Sequence, residues 1–256
     1  MFNSTELFCV IDDFFLKFEL TYWEFLKQNR GSLRIRTAQL KISEICFIAI
    51  WYKCSHFNNF KAFFTWLKED KSHLFKYLPC YQRMIYLIKR HELALHALHV
   101  ALMKGQGTQY LWIDSPTLPV CKNQRIQRHK SLVQIASRGR SSMGWFYGCK
   151  LHIAMNQFGE IACSALSNGH IADIKMVEQL VAGLNGKLYG DRGYCVSDEY
   201  HLRQRNKIET LFSLLKGQYN LVTSKARSLH GFLSGIYASL CAYQLTHGNK
   251  PTIQIK

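Results

Sequence analysis

Three carboxylates in the second half of the chain stand where reactive acids would be expected. Asp114 directly follows the apolar run Tyr110-Leu111-Trp112-Ile113, and Asp191 follows Leu188-Tyr189-Gly190. Glu209 flanks a helical face formed by Ile208, Leu211, Phe212 and Leu215. If the two apolar runs are neighbouring parallel strands, both aspartates emerge together at the C-terminal edge of a sheet, where open α/β sheets place their ligand sites. Crowded carboxylates repel one another unless a hard divalent cation joins them. Mg²⁺ and Mn²⁺ take oxygen ligands, and two such ions about 3.5–4 Å apart suit phosphoryl transfer. Such a constellation would act on a phosphodiester. Taken singly, each acid also has a plainer role: Asp114 can cap a turn before Pro116, Asp191 can serve the Gly-Asp-Arg-Gly turn, and Glu209 can pair with Arg205.

The charge balance points the same way. The 256 residues carry 33 Lys and Arg against 17 Asp and Glu, a formal net charge of +16. From Ser115 to Gly159 there is no acid, while Lys122, Arg125, Arg128, Lys130, Arg138, Arg140 and Lys150 are all positive. A second basic group, Arg203, Arg205, Lys207, Lys216, Lys225 and Arg227, surrounds Glu209 alone. Unopposed cations gain from releasing counterions condensed on nucleic acid, so a polyanion is the expected partner. Lys150 and His152, two apart on an expected strand, face one way and either contact DNA or serve the sheet.

The elements that must position these groups fall into two parts. Residues 1–104 show helical periodicity with few Gly and one Pro, which predicts helices near 5–28, 38–54, 57–69 and 81–103. Residues 105–109 read as a linker, and 110–256 as a second domain of mixed character. Strands are expected at 110–113, 145–155, 160–166 and 188–190, with helices at 173–184, 202–216 and 229–245. The expected class is therefore α/β, a mixed sheet with flanking helices, preceded by an all-α module. Hydrophobic residues make up 48% of the chain, which excludes intrinsic disorder. The apolar run Ile45 to Tyr52 is too short to cross a bilayer, and acids occupy the N-terminus where a signal peptide needs cations. The nine scattered cysteines lack any Cys-x-x-Cys pair and read as reduced thiols, so a cytoplasmic protein is expected.

Several segments carry a resemblance in order along the chain: Trp112-Ile113-Asp114-Ser115, Leu118-Pro119-Val120-Cys121, Gly144 to His152, Tyr189 to Tyr194, and Arg203 to Thr210. With Phe57 to Lys61 and Leu78 to Tyr81 before them, they resemble the DDE-type transposases of bacterial insertion sequences, notably insertion-sequence family 982. The resemblance implies an RNase H-like catalytic domain behind a helical DNA-binding module. It also implies that Asp114, Asp191 and Glu209 hold two Mg²⁺ or Mn²⁺ ions. The implied partners are DNA, as transposon ends and target, and further copies of the chain in a homo-oligomer. The implied location is the bacterial cytoplasm, in association with the nucleoid. Lys122, Arg125, Arg128, Lys130, Arg138, Arg140, Lys150, His152, Arg203, Arg205 and Lys207 are the corresponding DNA-contact candidates.

The chain departs from that pattern in one place. The family's fold has a helix and a strand between the second aspartate and the glutamate-bearing helix, yet only the 17 residues 192–208 lie between Asp191 and Glu209. A helix of about 11 residues, a strand of about five and their loops do not fit. An internal deletion near 195–201 is expected, and with it weakened or lost catalysis. The rival reading is a DNA-binding remnant or regulator of transposition. A zinc hydrolase, suggested by His91-Glu92-Leu93-Ala94-Leu95-His96, fails because its histidines must stand four apart on one helical face.

Overall fold

The computed structural model describes residues 3–30, 39–141, 144–190, 206–221 and 226–246. The chain divides into two compact units, one formed by Met1–Ala101 with Leu233–Thr246 and the other centred on Leu102–Phe232.

The first unit is helical. Its helices are α1 (Ser4–Arg30), α2 (Ile42–Cys54), α3 (Phe60–Asp70), α4 (Tyr81–Arg90) and α5 (Glu92–Leu102), joined by most of the last helix, α8 (Leu229–Leu245). α2 is apolar on all sides, as a central helix must be, and every residue from Ile45 to Trp51 is buried. Its start is fixed by the Lys41 backbone N–H, which donates to the Glu44 carboxylate at 2.6 Å. Around Trp51 the rings of Phe47, Phe63 and Trp66 pack at centroid separations of 5.1–5.9 Å, contacts worth about 0.5–1.5 kcal/mol each beyond burial. The single helix expected over 81–103 is two. The His91 N–H closes α4 on the Leu87 carbonyl, and the His91 carbonyl opens α5 by accepting from Leu95. On α8, Ser234 donates to the Ile88 carbonyl at 3.3 Å, and Tyr237 stacks on His96 and His99.

The second unit is built on one long strand. β4 (Gly144–Asn156) carries neighbours on both edges for most of its length. Along one edge run β1 (Tyr110–Asp114) and β2 (Thr117–Cys121), both antiparallel to β4. They keep one register, Asp114 opposite Ile153 and Thr117 opposite Lys150, and the Leu151 N–H bonds the Pro116 carbonyl between them. Along the other edge run β3 (Ser137–Ser141) and β5 (Ile161–Asn168). β6 (Lys187–Tyr189) adds to β1 in parallel, with Trp112 opposite Tyr189. The six strands form one mixed sheet.

Helices cover it. α6 (Ile174–Val181) lays Leu180 and Val177 on Ile113 and Ala154. α7 (Asn206–Gly217) packs on β1 and buries Ile208, Leu211, Phe212 and Leu215. A helical module followed by a mixed sheet with flanking helices is the expected α/β class, in an RNase H-like arrangement. Strands β2 and β3 go beyond the four expected. Pro119 argues against a strand interior, but β2 lies along the outside of β4, where a missing N–H costs no ladder bond. α6 stops at Val181, short of the expected 184, because Gly183 takes φ +80. The proposed deletion near 195–201 lies outside the described residues.

Two glycines are required by close approach. A Cβ on Gly148 would fall on the Leu118 carbonyl oxygen and sit 2.9 Å from the Pro119 Cα, and one on Gly139 would meet the Gly169 backbone. Gly148→Ala therefore forces β2 off β4, and an overpacking loss of about 1–3 kcal/mol is expected in urea unfolding.

The helical unit has its own pH signature. Burial, with Arg90 adding, lowers the His91 pKa to about 4, and burial with the neighbouring His96 lowers that of His99 to about 3. Both are neutral when folded, whereas the unfolded chain takes up protons below about pH 6.5. Stability is thus complete above that pH and drains away as pH falls towards 4 and below. Thermal melts at successive pH values should show this slope, and His99→Gln should flatten it.

Candidate functional site

Strand alternation sets which groups share a face. Ile113 points at α6, so Trp112 and Asp114 point to the opposite side of the sheet. Asp114 is half-buried at the last position of β1, and its Oδ1 accepts from the Ser115 N–H at 2.8 Å. The parallel neighbour β6 ends at Tyr189, whose ring stacks on Trp112 at 5.8 Å, and Gly190 beyond it is buried. Asp191, Arg203 and Arg205 lie outside the described residues. Glu209 is exposed in the first turn of α7, beside the buried Ile208, with Lys207 half-buried in the same turn. Because α7 packs on β1, two of the three acids stand on elements in contact.

The basic residues separate into two kinds. Lys122, Arg125, Arg128, Lys130, Arg138 and Arg140 are all exposed. Among the described residues the one ion pair found joins Lys150 to Asp173, so none of these six is neutralised by a carboxylate. Arg138 stands opposite Tyr147 and Arg140 opposite Trp145, so both arginines share a face with the two aromatics. Counting along β4, that face is also the one occupied by Ile153 and hence Asp114.

Trp145 is 55% exposed, with the Arg138 guanidinium 5.0 Å from its ring centroid. A 3₁₀ turn over Asn123–Arg128 is tied to it, since the Asn123 side-chain amide donates to the Trp145 carbonyl at 2.8 Å. Trp145, Lys122, Arg125, Arg128 and Arg227, with His129 set edge-on to Tyr147, border an open groove of about 1000 Å³. Sequence reasoning missed Trp145 and Asn123. Nothing in an aromatic at the head of an apolar strand signals that it faces water.

Lys150 and His152 lie on the other face. Lys150 is buried and its ammonium donates to Asp173 Oδ1 and to the Ile171 carbonyl, both at 2.9 Å. His152 is fully buried, its Nε2 2.7 Å from the Ser167 hydroxyl. Burial lowers its pKa, with Asp173 opposing and Lys150 reinforcing the shift. These two groups tie β4 to β5 and to the start of α6.

The donor set at Asp114 and Glu209 is purely carboxylate oxygen, which suits a hard divalent cation and not zinc or copper. Among the described residues no three Asp, Glu, His or Cys side chains cluster closely enough to hold a metal by themselves.

The structure thus brings together an acid at the C-terminal end of the first strand and an acid-bearing helix packed on that strand, with Arg138 and Arg140 on the same face of the sheet as Asp114. Residues 104–209 match the family model of the transposase DDE domain, a span that ends on Glu209. The match supports a DDE transposase domain over that span. No curated protein and no solved structure matches the chain. No helix among the described residues is long and apolar enough to cross a membrane.

The two kinds of cation should respond differently to removal. Lys150→Met strips the Ile171 carbonyl and Asp173 of their donor and should cost about 1–3 kcal/mol in urea unfolding. Arg140→Met, at an exposed position, should change stability by less than about 0.5 kcal/mol.

Proposed function

We propose that the chain is a DNA transposase of the bacterial insertion-sequence kind, close to family 982, acting as a homo-oligomer on transposon ends and target DNA. The observation that carries this reading is the meeting of β1 and α7, whose acids Asp114 and Glu209 both fall within the span that matches the transposase DDE domain. Asp191, two residues beyond the end of β6, completes the proposed set, and Asp114, Asp191 and Glu209 would hold Mg²⁺ or Mn²⁺. Two such ions, when bound, supply the charge that activates an attacking oxygen and stabilises a leaving one.

The protein's own residues do the rest. Half-burial and the Ser115 N–H hold the Asp114 carboxylate in one orientation. Lys122, Arg125, Arg128, Lys130, Arg138 and Arg140, with Lys207 in the first turn of the glutamate helix and Arg203 and Arg205 just before it in sequence, bind phosphates and fix the strand. In the hydrolytic step, water adds to phosphorus and the 3′ oxygen leaves with a proton, giving a 3′-hydroxyl and a 5′-phosphate. In strand transfer that hydroxyl attacks a target phosphodiester, and a target 3′-hydroxyl leaves. Positioning and charge neutralisation account for the rate.

The 17-residue connector favours a second reading, in which DNA is bound but cleaved slowly or not at all. A displacement of about 1 Å at Glu209 would cost about two orders of magnitude in rate. One experiment separates the two. Incubated with Mn²⁺ and a plasmid carrying the ends of its own element, an active enzyme nicks at those ends, and Asp114→Asn and Glu209→Gln each reduce nicking about 100-fold or more. Salt-dependent binding of the same DNA with no nicking makes the chain a DNA-binding remnant. Nicking that persists in Asp114→Asn rules out the assigned acids.

A further inference from the structure

The groove beside Trp145 has properties that phosphate binding alone does not explain. We propose that it receives an unpaired stretch of DNA, with a base stacked on the Trp145 ring and the flanking phosphates on Lys122, Arg125, Arg128 and Arg227. The inference deepens the transposase reading by naming the form of DNA that this face takes, and it rests on that reading for DNA as the polymer.

Four observations carry it. Trp145 is a large ring left 55% exposed, although the strand it heads is buried almost everywhere from Cys149 onward. The ring is held ready: the Asn123 amide fixes its carbonyl, and the Arg138 guanidinium lies over it at 5.0 Å, a cation–π contact that orients the indole. The groove wall is mixed, with Pro119, Val120 and Phe146 offering apolar surface to a base or sugar between the cations. Its volume of about 1000 Å³ reaches the top of the range of about 300–1,000 Å³ for small-molecule sites, leaving room for more than one nucleotide.

Charge then selects the ligand. No acid occurs between Ser115 and Gly159, and none of the described cations bordering the groove is paired with a carboxylate. A duplex offers such a surface its phosphates but keeps its base faces stacked inside. Only a base out of its pair can lie on an exposed indole. Stacking of this kind tolerates any base, so the site would hold a strand without reading its sequence.

The test uses the full chain in EDTA, so that cleavage plays no part, with a labelled oligothymidylate of about 12 nucleotides and a duplex of equal length compared by fluorescence anisotropy. Trp145→Ala should weaken binding to the single strand about tenfold, Trp145→Phe should restore it to within about threefold, and either variant should change duplex binding by less than about twofold. If Trp145→Ala lowers the melting temperature, Trp145→Leu, which keeps apolar bulk without a ring, replaces it with the same expectation. Equal weakening on both DNAs makes the groove a duplex phosphate contact and overturns the proposal. So does an unchanged single-strand affinity, a failure of Trp145→Phe to restore binding, or an absence of single-strand binding. A chain that binds the oligothymidylate through Trp145 but never nicks plasmid would sink the catalytic reading and leave this site standing.

Discussion

The sheet unit depends on the hydrogen-bond ladder of β4. With partners on both edges, that strand satisfies its own backbone groups while fixing β1, β2, β3 and β5 in register. The constraint is steric as well as polar, because Gly148 lies between Pro119 on one edge and Ser137 on the other and leaves no room for a side chain. The orientation of Asp114, the pairing of two arginines with two aromatics and the seating of the groove all follow from this one strand.

Charge is arranged by depth. The buried Lys150 is matched by Asp173 and a carbonyl, as a desolvated ammonium must be. The six cations on the exposed flank meet no carboxylate among the described residues, so their mutual repulsion is relieved by solvent and salt in the free protein and by phosphate when one is bound. The same residue type is thus paired where it is buried and left to solvent where it is exposed.

Much of this was legible in the order of residue types. Apolar runs ahead of Asp114 and Asp191 marked two strands, and they do lie side by side in parallel, with Leu111 to Ile113 and Tyr189 buried. The face of α7 was visible in the spacing of Ile208, Leu211, Phe212 and Leu215, all of which are buried. What escaped was set by tertiary pairing. The polar Ser-Arg-Gly-Arg-Ser of β3 has no strand pattern of its own and is held by β4, and β2 is a strand despite Pro119 for the same reason. Nor could spacing alone decide which faces of β4 meet water. Lys150 and His152 alternate correctly with their neighbours, but from Cys149 onward both faces of β4 are buried, and water reaches the strand at Trp145 near its start.

β4 also sets a measure. Eight residue steps along it separate Ile153, opposite Asp114, from Trp145 at its head. At about 3.3 Å per residue the span is at most about 26 Å. A duplex advances about 3.4 Å per nucleotide along each strand, so the distance between the two ends of this ruler corresponds to at most about eight nucleotides. The length of one strand thereby converts into a footprint.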